Sequence, residues 1–266
     1  MFRIASKFPV ALFPCVILAV AIDSCAPSKE VGVPPPAKKE LTTTFKILSL
    51  NVRHTLKEKS DVRKLTKFIK TSGAEIVTVQ QIERPAEGKT GFDAVKELAK
   101  QTEMYDFFGK ARFLEGFDSG NALLSIYPVR QTSVRSLPVE QGKVRRSLAF
   151  GVVDVGLREI GVASTELDDQ SASERLAQAE EIYSIAQSLS DVPLVVCGEF
   201  GESFSGKASA KMAERFNSAN SLQEAAKTTQ QHVYSIKNPK IEPLSVEKLK
   251  FSGSFDALLD TVRVTQ

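Results

Sequence analysis

Short apolar runs that end on polar or small tips recur along the chain, and they constrain its fold more than any other feature. Phe45 to Asn51, Glu75 to Gln80, Asn121 to Tyr127 and Val192 to Gly198 each read as a buried or half-buried strand. Helical periods lie between them. Ser60-Asp61 is placed to cap a helix running through Thr71, with Val62, Leu65, Phe68 and Ile69 on one face and Gly73 as its stop. Phe92 to Thr102 reads as a second helix. Ser173 to Leu189 reads as a long amphipathic third, with Leu176, Ala179 and Ile182 inward. Ser147 to Val155 and Arg158 to Ser164 form a predicted hairpin around Gly156, and strands near His232–Ile236, Val246–Phe251 and Asp256–Val264 finish the chain. This mixture of βα units and hairpins is α/β. Two sheets with helices outside accommodate it, and so does one doubly wound sheet.

The chain opens differently. Arg3 and Lys7 precede an apolar stretch from Phe8 to Ile22, interrupted only by Pro9 and Pro14. That stretch is short for a bilayer span and suits an export signal. It ends in Ile22-Asp23-Ser24-Cys25, similar to a bacterial lipoprotein box with Asp23 where a small residue is usual. The expected organisation is a signal peptide over 1–24, a lipid-anchored Pro-rich tether over 25–44 with lipid on Cys25, and a folded domain over 45–266. Pro27 after that cysteine fits the outer membrane or its periplasmic face. The domain, roughly 220 residues, is long enough to bury a sizeable core. With net charge +3 and basic and acidic residues interspersed, the chain carries no strong nucleic-acid signal. Cys15, Cys25 and Cys197 match no zinc spacing, and Cys197 reads as a small core residue.

Five segments carry a family resemblance: Lys46–Val52, Ile76–Ile82, Gly120–Val129, Val162–Asp168 and Pro193–Gly201. Taken in order and with their separations, they resemble the endonuclease/exonuclease/phosphatase family of metal-dependent phosphoesterases. Glu174–Glu180 is similar to that family's helix after the fourth segment. The resemblance implies a four-layer α/β/β/α sandwich of two mixed sheets with helices outside. It also implies an active site at one end of the sheets.

Phosphodiester cleavage calls for an oxygen-ligated divalent ion, a group that activates water and a group that supports the leaving oxygen. The resemblance places these roles at Asn51, Gln81, Glu166, Glu199 and Ser254, and most of the side chains there are altered. Asn51 is kept. Gln81 stands where the family has a metal-binding Glu, and Glu166 stands where it has a phosphate-contacting His. Glu199-Phe200-Gly201 replaces Asp-x-Asn, and Gly253-Ser254-Phe255 replaces Ser-Asp-His. His232-Val233-Tyr234 replaces Ile-Asp-Tyr. His54 and His232 are the chain's only histidines, and each reads more readily as locally bonded than as a base.

The main expectation is an envelope lipoprotein with a catalytically inactive domain of this type, acting in binding or as a scaffold, with no cofactor. Its partners would be the membrane, through lipid on Cys25, and an unidentified protein or small anionic ligand. The alternative is an active phosphodiesterase, phosphatase or nuclease using Mg²⁺ or Mn²⁺. Glu199 and Gln81 would be metal ligands, aided by Glu166, Asp168, Asp169 and Asp256, and Lys143, Arg145 or Arg146 would clamp an anion. Phe107, Phe108, Phe113 and Phe117 form a third possibility, as core or as an exposed patch.

Overall fold

The computed structural model describes residues 41–189, 192–251 and 255–266. Its strands are β1 (Thr42–Asn51), β2 (Ile76–Pro85), β3 (Tyr105–Leu114), β4 (Phe117–Ser125), β5 (Val129–Ser136), β6 (Ser147–Asp154), β7 (Glu159–Glu166), β8 (Leu194–Glu199), β9 (Phe216–Ser218), β10 (Gln231–Ile236), β11 (Ile241–Phe251) and β12 (Phe255–Thr265). Its helices are α1 (Lys59–Ser72), α2 (Ala94–Thr102), α3 (Ala172–Ser188), α4 (Lys207–Ala213) and α5 (Glu224–Lys227).

The strands form two mixed sheets of six. One has the order β11-β12-β1-β2-β4-β3 and the other β5-β6-β7-β8-β10-β9. In the first only β1 and β2 run parallel, joined through α1; in the second only β7 and β8, joined through α3. This is the expected sandwich rather than one doubly wound sheet. Alternation along β1 explains the layering. Phe45 and Ile47 face the second sheet within the larger apolar core, while Leu48, Leu50 and Val52 face the helical layer with Val62, Leu65 and Ile69 of α1. Each sheet therefore has two buried faces, which is why its central runs are apolar almost throughout.

Several boundaries differ from expectation. β1 starts at Thr42, before the expected domain start at Phe45, because Thr42–Thr44 pair with Arg263–Thr265. Ser60 and Asp61 do not cap α1; its N-cap is Glu58, with no side-chain hydrogen bond. Gly73 does end the helix, at φ 69°. β3 and β5 were not anticipated as strands. The four phenylalanines of the third possibility do not act together: Phe108 is buried, Phe107 packs on the inter-sheet core and Phe113 is 58% exposed. Cys197 lies in the inter-sheet core. Cys25, Ser254 and the expected signal and tether up to residue 40 lie outside the described residues.

The inter-sheet layer turns polar toward the end where β1, β2, β7 and β8 finish. Gln80 donates from Nε2 to Ser164 Oγ at 3.1 Å, and Ser49 Oγ donates to Gln231 Oε1 at 3.1 Å, so two hydrogen bonds tie the sheets together there. Deeper in the layer sits Asp260, fully buried, with neither carboxyl oxygen hydrogen-bonded among the described residues. Burial pushes its pKa well up, so it is held toward the neutral form.

Candidate functional site

The polar layer opens into the site. Parallel pairing places Asn51 beside Gln80 and Glu166 beside Glu199, and antiparallel pairing places Gln231 beside Glu199. Two cavities of about 260 and 250 Å³ meet at these tips. The first is lined by Asn51, Arg53, Glu199, Gln231, Phe255 and Asp256, the second by Arg53, Gln81, Glu166, Asp169 and Glu199. The structure thus brings Asn51, Gln81, Glu166 and Glu199 together. Gln81 reaches the site through a bulge between Gln80 and Ile82, where its own backbone is left-handed at φ 52°. Without that bulge, strict alternation would direct Gln81 away from Gln80 and toward the helices.

Each carboxylate at the tips already has a cation. Glu199 Oε1 lies 3.1 Å from the guanidinium of Arg53, and its Oε2 accepts from Gln231 Nε2 at 3.3 Å. Glu166 is ion-paired with Arg146, whose side chain is 3% exposed, and Glu166 Oε1 also accepts from Gln81 Nε2 at 2.7 Å. Arg146 extends to Asp169 at 3.1 Å. Burial pushes the Glu166 carboxyl up to about 7, against the opposing pull of Arg146 and Arg112. Asn51 Oδ1 accepts the backbone N–H of Arg53 at 2.8 Å, which shapes the turn leaving β1. Arg53 is half exposed, lines both cavities, and has its guanidinium carbon 5.9 Å from the centre of the Phe255 ring.

The other candidate ligands are committed elsewhere. Asp168 Oδ1 accepts the backbone N–H groups of Gln170 and Ser171 at 2.9 and 2.6 Å, so it closes the turn into α3 instead of facing a cation. Asp256 pairs with Lys248 at 3.0 Å. Lys143 and Arg145 sit on an exposed loop; of the three suggested clamps only Arg146 enters the site. Glu83 lies past the bulge, where it is buried and held by Lys57 at 2.6 Å and His54 at 3.0 Å.

Neither histidine is placed as a base. Arg112 can only donate, so at 3.2 Å it assigns His54 Nε2 as acceptor and leaves the proton on Nδ1, toward Glu83. Desolvation lowers the His54 pKa in the same direction. His232 is buried on the face of β10 away from the cavities. Its Nε2–H donates to the Glu202 carbonyl at 2.9 Å, and Tyr234 donates to its Nδ1 at 3.2 Å. Desolvation lowers its pKa to about 4.

Among the described residues, no three His, Cys, Asp or Glu side chains are grouped so as to hold a metal. The donor set at the tips does not fit a divalent ion. A hard cation needs about six oxygens. Here the strand tips offer Glu166 and Glu199 with the amides Asn51, Gln81 and Gln231, Asp169 and Asp256 complete the lining, and cations of the chain already pair with all four carboxylates. The expected ligands Glu199 and Gln81 are both present in the site, yet each is bonded to a protein partner.

Sequence reasoning did not find Arg53 and Gln231. Alternation along β10 carried a signal for Gln231, since it shares the inner face with Val233. Arg53 follows the strand end and had none.

No protein-family model matches the chain, and no curated protein sequence matches it. Solved structures do. An endonuclease/exonuclease/phosphatase from Beutenbergia cavernae DSM 12333 superposes with TM-score 0.69 at 18% identity, over 83% of this chain and 72% of that one. The human Nocturnin catalytic domain with bound sulfate gives 0.67 at 15%, over 84% and 96%. A mannosyl-6-phosphatase from Bacteroides thetaiotaomicron VPI-5482 gives 0.59 at 9%, over 84% and 98%. At these identities the likeness is one of fold: this chain has the endonuclease/exonuclease/phosphatase fold.

Proposed function

We propose that this endonuclease/exonuclease/phosphatase-fold domain belongs to an exported envelope lipoprotein and is a catalytically silent binding module. One observation carries the reading: guanidinium groups of the chain stand against both site carboxylates, Arg53 on Glu199 and Arg146 on Glu166. The charge that a divalent ion would neutralise is neutralised from within. No histidine faces the cavities to move a proton, and losing a general base alone costs on the order of 10²–10⁴ in rate. The ligand in this reading is small and anionic. It binds where Arg53, half exposed and held by one carboxylate, can exchange Glu199 for an incoming anion. Attachment through Cys25 keeps the module at the membrane.

The purified protein, titrated with Mg²⁺ and Mn²⁺ in a calorimeter and offered bis-p-nitrophenyl phosphate, is expected to show neither saturable metal heat nor turnover. Metal-dependent hydrolysis that disappears in Glu199→Gln overturns the proposal. For the anchor, the N-terminal peptide of the mature protein should carry an acyl mass on Cys25, and an unmodified Cys25 there would overturn it. A second reading has one observation in its favour. Glu166, pushed up to about 7 inside a cavity, has the poise of an acid–base group. Turnover abolished by Glu166→Gln without any metal would select it.

A further inference from the structure

Helices α1 and α3 carry opposite net charge. In α3 the charged residues are Glu174, Glu180, Glu181 and one cation, Arg175, which is paired with Glu202 at 3.2 Å. In α1 every exposed residue from Lys59 to Lys70 is basic: Lys59, Arg63, Lys64, Lys67 and Lys70. Asp61 is the helix's only acid. Lys59, Arg63, Lys67 and Lys70 follow helical spacing along one face, about 16 Å from first to last at the ordinary rise. Only two of the five have ion pairs among the described residues, both long: Lys64 with Asp61 at 3.5 Å and Lys70 with Glu103 at 3.8 Å. The apolar face, Val62, Leu65 and Ile69, is already buried on the sheet. Apart from Thr71, what α1 presents outward is therefore charge.

We propose that the outer face of α1 docks electrostatically on an anionic phospholipid surface. The choice of a bilayer over another polyanion rests on the reading of Cys25 as a lipid anchor, which would hold the domain beside a phospholipid surface. It also rests on placement. α1 ends at Gly73, beside Lys46 of β1, at the end of the sheet where the chain enters through Leu41. α1 begins at the site end, after Asn51 and Arg53, and runs back along the outer face of the first sheet, while the cavities open at the strand tips between the sheets. A domain held by this face keeps its cavities open. Four of the five cations are lysines, compact charges suited to a diffuse negative surface. Exposed aromatics for stacking on nucleotide bases do not accompany them within α1.

The test uses the full chain carrying Cys25→Ser. Co-sedimentation is measured with vesicles of phosphatidylcholine alone and of equal parts phosphatidylcholine and phosphatidylglycerol. Binding to the neutral vesicles reports whatever Phe8–Ile22 contributes. The proposal expects at least about tenfold tighter binding to the anionic vesicles at low salt, the scale for three or more basic residues near such a surface. The excess should shrink with added NaCl. It should vanish in the triple variant Lys59→Glu, Arg63→Glu, Lys67→Glu, with the neutral-vesicle signal and the thermal melt unchanged. Equal binding to both vesicles, or an excess that survives the triple variant, overturns it. So does tighter binding to a DNA duplex than to anionic vesicles. Because no acyl chain is present in this assay, its failure is separate from failure of the anchor, which the Cys25 mass decides.

Discussion

Arg146 places a guanidinium where its side chain is 3% exposed, and a charge so placed depends on its partners. Arg146→Ala leaves Glu166 buried without its cation, which costs about 3–5 kcal/mol at pH 8. Burial already pushes Glu166 up to about 7, and without Arg146 its pKa rises further. At pH 5 the carboxyl takes a proton and much of the loss should disappear. Urea denaturation midpoints of the two proteins at pH 5 and pH 8 check this, and equal losses at both would contradict it. The residue scale is also where legibility was uneven. Asn51, Gln81, Glu166 and Glu199 could be picked out because each ends a recognisable strand. Their cations could not. Arg53 and Glu199 stand 146 positions apart, and no local pattern links a post-strand arginine to a carboxylate on another sheet.

At the element scale, the apolar central strands were readable and the edges were not. β5 is exposed along most of its length and bulged between Arg130 and Ser133, so neither burial nor period two marks it. β3 is bulged between Lys110 and Arg112, which shifts its alternation midway, and Phe107 and Phe108 already face opposite sides ahead of the bulge. The loop after β8 leaves little room for a larger side chain. Gly201, at the position of the family's Asn, has φ 65°, and a Cβ there would sit 2.6 Å from the carbonyl oxygen of Asp168. The loops after β7 and β8 have closed on each other through their backbones. Gly201→Asn should therefore destabilise by about 1–3 kcal/mol, as overpacking does, without creating metal affinity. A thermal melt with and without Mg²⁺ measures both; an unchanged melting temperature in metal-free buffer would show that the loops part easily.

Over the whole molecule, buried ionisable groups limit stability from both sides of the pH scale. His232 is held neutral, with a pKa lowered to about 4, so its contribution is present above its ordinary 6.5 and is lost as pH falls through that window. Asp260 and Glu166 act in the opposite sense. Their pKa values are raised, so their contribution is present below the ordinary carboxyl range and is lost as pH rises. Asp260→Asn keeps size and removes the charge. It should be more stable than the parent at pH 8, by on the order of 1–3 kcal/mol, with the difference gone at pH 4. Denaturant midpoints across that range test it, and a constant difference would refute the assignment to Asp260. The sandwich itself was legible through the order of the strand segments, but Asp260 was not, because nothing in Leu258–Val264 signals that the residue opposite Ile47 lies between two sheets. One topological fact reaches further. β1 pairs with β2 on one side and β12 on the other, and Gln266 donates its backbone N–H to the carbonyl of Leu41. β1 cannot gain its second neighbour until the chain has been made through β12, so its edge from Thr42 to Leu50 stays open to stray strand pairing until then.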